Sequence, residues 1–277
     1  MAATRLRAER KKRMFWSLKT DDPALLAGFS PDDADEFILA LDPAAPEEIL
    51  ARAAAFPQEK IRLALPMVVR ASAGDDTRLR AKIKTLGEAG FEKWEISQLG
   101  QLSLLPARAD VSADWPLYVL NTAAAAMLFS QGLSRLTASP EDERENLKTL
   151  LAALGEKLQV ILYQDTPLFT GEGCPKSSLQ KNAPRCACSG APFTLENRHG
   201  QEYFGVSRAC RTTVISAQPF SLGQFQEELV AAGMRSARAD FINRKYSPAA
   251  AREVWAALKA GESPENTHSG NYLRGLQ

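Results

Sequence analysis

The sequence predicts an α/β fold, a (β/α)8 TIM-like barrel with a long cysteine-bearing insertion after strand seven. Three observations predict it. Eight short runs rich in Val, Ile, Leu and aromatic residues recur along the chain, as buried parallel strands do. Helix start and stop signals fill the spacers between them. The rhythm breaks once, between the seventh and eighth runs, over residues 166–222. A doubly wound open sheet is the rival architecture. Eight runs suit closure, and no dinucleotide fingerprint follows the first of them.

The elements follow in order. Phe15–Lys19 is the first strand, and Asp21-Asp22-Pro23 opens a helix over Ala24–Phe29. Glu36–Leu41 is the second, with Pro46-Glu47-Glu48 opening a helix over Ile49–Phe56. Ile61–Pro66 is the third, followed by a helix from Thr77 to Gly90, where glycine is an expected stop. Lys93–Ser97 is the fourth. Leu117–Asn121 is the fifth and leads into an Ala-rich helix over Thr122–Leu133. Arg135–Ser139 is the sixth, and Ser139-Pro140-Glu141-Asp142 caps a helix over Glu143–Leu154. Gln159–Gln164 is the seventh and Arg238–Ile242 the eighth. Residues 1–14 read as a basic N-terminal tail or linker, and 15–277 as a single barrel domain. On a barrel, a loop after strand seven leaves from the rim formed by the strand C-termini, where active sites sit.

Composition narrows the class. The chain has 277 residues, 45% hydrophobic and 24% charged, which is ordinary globular usage and excludes wholesale disorder. The longest mostly apolar stretch, Pro116 to Phe129, is shorter than the ~20 residues a spanning helix needs, so no membrane span is expected. Asp21 and Asp22 follow the basic start too soon for a signal peptide, so a cytoplasmic location is expected. Net charge is +1, so any nucleic-acid contact must be a local patch. Only two histidines are present, His199 and His268, which rules out a His-rich metal centre. No GxSxG elbow, HExxH helix, P-loop or GxGxxG fingerprint occurs.

The cysteines carry the chemistry. All four, Cys174, Cys186, Cys188 and Cys210, fall within residues 174–210. Disulfides do not suit a cytoplasmic chain. Zinc sites show paired C-x2–4-C knuckles, and this loop has none. Cys174-Pro175 matches the Cys-Pro ending of ferredoxin-type runs. Spacing alone leaves zinc and a [4Fe–4S] cluster open.

The segments GEGCPKSS (171–178), CACSG (186–190) and ACRTTVISA (209–217) resemble the collagenase-like unclassified peptidases, the U thirty-two family. Thr166-Pro167-Leu168-Phe169 is similar to the family's segment before the first cysteine. Cys210-Arg211-Thr212-Thr213 is similar to its Cys-Arg-Asn-Thr run, with Thr for Asn. LYVLNTAAAA (117–126), RLTASPED (135–142) and HSGNYLRGL (268–276) resemble further family segments. The resemblance is to the C-terminal barrel of the longer members. It implies a [4Fe–4S] cluster held by Cys174, Cys186, Cys188 and Cys210, with 166–222 as the cluster-binding region and zinc as the alternative metal. It implies support of oxygen-independent hydroxylation of an RNA base or an anionic aromatic small molecule. Because long members carry a separate barrel first, it also implies a partner barrel or upstream domain.

Strand ends on the upper rim supply the other candidates: Lys19, Asp42, Arg70, Glu95, Asn121, Ser139, Glu141, Gln164 and Asp165. Each also has a plain reading as a rim pair or helix cap. Glu95 points opposite to Trp94 and Ile96 by alternation, and an inward acid needs a partner such as Lys19 or Arg70. Asn121, Glu95 and Arg211 are the catalytic candidates. Residues 172–211 hold six cations, Lys176, Lys181, Arg185, Arg198, Arg208 and Arg211, against Glu172, Glu196 and Glu202. Such a loop suits an anionic substrate or RNA phosphates, the latter together with the basic tail. The competing readings are a structural cluster-bearing RNA-binding or interaction module and a genuine peptidase. No Ser/His/Asp set is legible to support the peptidase.

Overall fold

A computed structural model describes residues 13–69, 74–173, 175, 190, 192–208 and 211–275. Seven strands come first: β1 (Phe15–Thr20), β2 (Glu36–Ala40), β3 (Ile61–Ala64), β4 (Lys93–Ile96), β5 (Asp110–Ala113), β6 (Arg135–Thr137) and β7 (Leu158–Gln164). The excursion that follows holds β8 (Pro167–Gly171), β9 (Pro192–Glu196), β10 (Glu202–Arg208), β11 (Arg211–Ser216) and β12 (Phe220–Ser221). β13 (Ser236–Phe241) returns to the barrel. Strands β1 to β7 and β13 pair in parallel, with β6 on β7, β7 on β13 and β13 on β1 closing the ring. The eight-stranded barrel that the sequence predicts is therefore present.

Helical segments follow the barrel strands. They are α1 (Pro46–Ala53), α2 (Asp75–Glu88), α3 (Thr122–Ser130), α4 (Arg144–Leu154), α5 (Gln226–Ala232) and α6 (Pro248–Lys259). After β1 and β4 the chain makes only 3-10 turns, Pro23–Gly28 and Leu99–Leu104. Local chemistry sets the boundaries. Asp22 Oδ1 accepts from the Ala24 N–H at 2.9 Å, and Ser247 Oγ from the Ala250 N–H at 3.1 Å, each satisfying a donor left over at a helix start. Gly233 ends α5 at φ 119°, where an added Cβ would lie 2.7 Å from the Leu151 carbonyl oxygen. Only glycine suits both the turn and that approach. Among the described residues no helix is long and apolar enough to cross a membrane.

The fifth strand lies earlier than the sequence predicts. It is Asp110–Ala113, and Leu117–Asn121 follows it as irregular chain. Pro116 has no N–H to give a ladder. Asp114 accepts from the Trp115 N–H at 2.8 Å and starts a 3-10 turn, and Tyr118 adopts a left-handed φ of 48°. The true strand escaped notice because only Val111 and Ala113 face the apolar side. The stretch 166–222 also carries more order than its pattern suggests. β8, β11, β10 and β9 form a four-stranded antiparallel sheet in that order. Its outer strands are largely exposed, so they lack the apolar runs that mark barrel strands. The basic segment through Lys12, Arg70 and the four cysteines lie outside the described residues.

Alternation along the strands sorts two interiors. Trp16, Leu18, Phe37, Leu39, Trp94, Ile96 and their equivalents face outward and pack with helix residues such as Ile49, Ile83, Leu151 and Trp255 in one hydrophobic cluster. The opposite set, including Ser17, Lys19, Glu36, Arg62, Glu95, Gln159, Arg238 and Asp240, is buried inside the barrel. The stability of the fold thus comes from the sheath between strands and helices. Trp94 is fully buried there. Trp94→Ala should lower the unfolding free energy by ~3–5 kcal/mol in urea titrations. A loss below ~1 kcal/mol would show that the sheath is not the dominant core.

Candidate functional site

The upper lumen is filled by an ion-pair lattice. Lys19 Nζ on β1 lies 2.7 Å from Glu95 Oε1 on β4 and 2.6 Å from Asp114 Oδ2 just past β5. From β13, the Arg238 guanidinium reaches Glu95 Oε2 at 2.8 Å and Asp114 Oδ1 at 2.7 Å. It also pairs with Asp240 on its own strand at 2.7 Å. Gln164 on β7 donates to Asp240 Oδ2 at 2.8 Å. All six residues are buried. Each acid of the Glu95–Asp114 pair thus bridges both cations, and the contacts span the barrel.

The lattice has three acids and two bases, so its charges do not cancel. Burial would raise the Asp114 carboxyl, but Lys19 and Arg238 hold it well below the usual carboxylate range. Burial would lower the Lys19 ammonium, but Asp114 and Glu95 outweigh it and raise it. Arg238 is likewise raised far above its ordinary value by Asp240, Glu95 and Asp114, against burial. Asp240 takes up the imbalance. Burial pushes its carboxyl up to about 6 despite Arg238 and Lys19.

Above the lattice, strand ends and the antiparallel sheet enclose a cleft of about 170 Å³. Lys19 and Asp114 form its floor, Asp42 and Ser97 its wall, and Arg208 and Arg211 its roof. The roof is pinned to the rim. Arg208 donates to Asp21 Oδ2 at 2.5 Å, and the Asn243 N–H donates to the same oxygen at 3.0 Å. Arg211 pairs with Asp75 and donates to the Val68 carbonyl at 3.2 Å. A third pin is Arg244. It donates to Asp165 Oδ1 at 3.0 Å and to the Ser216 and Ala217 carbonyls at 3.2 and 3.0 Å, and it lies over the Phe204 ring. Tyr246 hydrogen-bonds the other oxygen of Asp165. Burial raises the Asp165 carboxyl, with Arg244 acting against it.

The sequence candidates fall in different places. Glu95 is in the lattice, with Lys19 as the expected partner and Arg238 as an unforeseen second one. Arg211 lines the cleft. Asn121 is exposed and its Oδ1 accepts from the Ala124 N–H at 2.8 Å, capping α3 outside the cleft. Ser139 Oγ accepts from the Glu141 N–H at 3.2 Å. Asp42 is exposed on the cleft wall. Gln164 and Asp165 serve the lattice and the Arg244 pin. Arg70 and Cys174, Cys186, Cys188 and Cys210 lie outside the described residues, as do Lys176, Lys181 and Arg185. His199 sits in the exposed turn between β9 and β10. Among the described residues no group of three His, Cys, Asp or Glu side chains is placed to hold a metal ion.

Sequence reading missed Asp114, Arg238, Asp240 and Asp21. Asp114 was hidden by the misplaced fifth strand. Ser236-Ala237-Arg238-Ala239-Asp240 does carry a signal, since polar residues at every second position of a barrel strand must share one face.

No family model matches the chain, and no curated protein matches it. Solved structures to which the chain is similar include the following two. One is a C-terminal domain provisionally assigned to a chitinase of Desulfitobacterium hafniense DCB-2, with a TM-score of 0.45, 8% identity, and 90% of this chain and 99% of that chain covered. The other is the spore cortex-lytic enzyme SleL of Bacillus megaterium QM B1551, with a TM-score of 0.45, 9% identity, and 94% of this chain and 77% of that chain covered.

The raised Asp240 carboxyl sets a pH dependence. Its folded value of about 6 lies above the ordinary 3.8, so the folded state holds its proton more tightly. The contribution to stability is full below pH ~4 and is lost as pH rises through ~6, on the order of 2–3 kcal/mol in total. Denaturant titrations of Asp240→Asn should lack this fall between pH 4 and 7. An unchanged profile would mean that another group titrates there.

Proposed function

We propose that this chain is an iron–sulfur barrel protein that supports oxygen-independent hydroxylation of a small aromatic ring or an RNA base held in the mouth cleft, with a hydroxylated organic co-substrate giving up the oxygen and being reduced in return. The observation that carries the reading is where the neighbours of Cys210 lie. Arg208 and Arg211, two residues before and one after it in sequence, both line the cleft. Neighbours of two other cysteines come to the same corner. The Gly173 carbonyl, next to Cys174, accepts from Thr212 Oγ1 at 2.6 Å. Gly190, two residues after Cys188, lies against the Arg208 side chain. That the described neighbours of these cysteines lie at or beside the cleft supports this reading.

Four thiols are a donor set that suits a [4Fe–4S] cluster, and they would equally suit zinc. The sequence resemblance favours iron. Cys174, Cys186, Cys188 and Cys210 would hold the cluster, which would supply one-electron chemistry when bound. The other roles belong to side chains in the cleft. Arg208 and Arg211 are bonded to Asp21, Asp75 and the Val68 carbonyl, and the N–H groups beyond those bonds serve an anionic substituent. Lys19 keeps an N–H beyond the two given to Glu95 and Asp114, and it offers this donor at the floor. The lattice already carries an acid in excess, so that donor suits a neutral oxygen better than a second anion. A volume below the ~300–1,000 Å³ usual for drug-sized ligands fits a single ring.

A peptidase needs an activated nucleophile or a metal-bound water. Glu95 and Asp114 are both committed to ion pairs, and His199 stands apart on an exposed turn. The reading is tested by anaerobic purification. Brown protein with about four irons per chain, lost on Cys174→Ala, is the expected result. Stoichiometric zinc without iron would overturn it. Arg211→Met should leave the iron content unchanged and abolish the hydroxylated product. That product is identified by mass spectrometry of RNA nucleosides and quinones from a deletion strain grown without oxygen. Cleavage of gelatin by the purified chain, with no hydroxylated species missing from that strain, would establish the peptidase instead.

A further inference from the structure

We propose that the opposite, N-terminal end of the barrel carries a second site, which binds a phosphate group between Arg13, Arg135 and Arg235. This end holds a cavity of about 390 Å³ lined by those three arginines with Phe15, Glu156 and Ser236. Glu156 is the single carboxylate among the lining side chains.

The countercharges of the arginines are unequal. Arg13 pairs with Asp35 at 2.7 Å through a largely exposed side chain. Arg135 pairs with Glu36, but Glu36 is shared with Arg62, whose Nε lies 2.9 Å from its other oxygen. Asp110, the next acid in this layer, is taken by Arg62 at 2.9 Å. Arg135 therefore has part of one carboxylate, and its Nε is buried without a hydrogen-bond partner. Burial lowers its proton affinity, Glu36 offsets only part of this, and Arg62 adds to the loss. Arg235 donates through NH1 to the Val230 and Met234 carbonyls at 3.0 and 2.7 Å and pairs with no carboxylate among the described residues. Its remaining N–H groups are uncommitted.

An anion in the cavity finds the N–H donors that these contacts leave over on Arg135 and Arg235. The Phe15 ring covers one face of Arg135, with the guanidinium carbon 5.2 Å from the ring centroid, so ligand access is through the guanidinium edge. Three guanidiniums disposed around one volume suit an oxyanion with three peripheral oxygens better than a planar carboxylate. Arg13 also ends the run Arg5, Arg7, Arg10, Lys11, Lys12. The phosphate could thus belong to a free phosphoester or to an RNA backbone.

The test titrates the full chain with inorganic phosphate at low ionic strength by calorimetry. Saturable binding of one phosphate is expected, with acetate at least tenfold weaker. Arg235→Ala and Arg235→Lys should each weaken phosphate about tenfold or more without changing the melting temperature of the unliganded protein. Lysine keeps the charge but loses the fork, so its effect separates geometry from net charge. Phosphate binding unaltered in both variants, or acetate binding as tightly as phosphate, would overturn the site. A short single-stranded oligoribonucleotide then separates the sources. Displacement of phosphate by the oligonucleotide, abolished in Arg235→Ala, supports an RNA backbone ligand. Phosphate binding undisturbed by it supports a free phosphoester.

Discussion

The Lys19–Glu95–Asp114–Arg238–Asp240 lattice is the constraint on which the rest of the structure depends. It joins β1 and β13, which pair with each other, to β4 and the end of β5 across the lumen. Its members meet only when the barrel is closed. A buried ion pair adds little net stability over apolar packing, yet removing one partner costs ~3–5 kcal/mol because a charge is stranded. The lattice therefore acts as a check on closure, while the apolar sheath supplies the driving force. A lower layer repeats the arrangement with Glu36, Arg62 and Arg135, backed by Ser17, Gln159 and Ser236. The lumen is polar over both layers, and Ile38 and Ala64 are buried there outside the hydrophobic cluster.

This choice shapes the mouth. A lumen of aliphatic side chains would give a cleft floor with no donor. Here the floor ends in an ammonium and a carboxylate whose positions are fixed from below. The roof comes from a separate small sheet, and arginines pin it to acids and carbonyls on the rim. Floor and roof are thus positioned by different means, one through fully buried ion pairs and the other through part-buried bonds to Asp21, Asp75 and Asp165. Solvent screening reaches the arginine side of the roof bonds more than it reaches the floor.

Much of the fold was legible in the sequence, because parallel barrel strands read as short apolar runs and the helices between them carry caps. Seven strands stand where the runs place them. The fifth was lost because Asp110-Val111-Ser112-Ala113 offers only two apolar side chains, while Leu117–Leu120 offers more without a ladder to join. The small sheet was illegible for a similar reason. Its outer strands, β8 and β9, bury almost nothing. Of the site, Glu95 and its need for a cation such as Lys19 or Arg70 could be argued from alternation alone. Arg238 could not, since its partners on β4 and β5 are more than a hundred residues away in sequence. Asn121, a polar residue before an Ala-rich helix, has a capping role that local sequence also foretells.

The excursion after β7 leaves and re-enters the barrel at nearly one point. Gln164 is the last residue of β7, and Phe220 of β12 pairs with it across an antiparallel bridge, with Ser221 opposite Tyr163. The two ends are held one strand spacing apart, ~5 Å, whatever the chain does between them. Ring closure by β6, β7 and β13 uses the other pairings of β7. The strand pairings that close the ring are therefore fixed independently of the length of chain between these two anchors. What the excursion shares with the barrel is a short set of bonds from Asp165, Arg208 and Arg211 to the rim, and a roof of different length that kept those bonds would sit on the same eight strands.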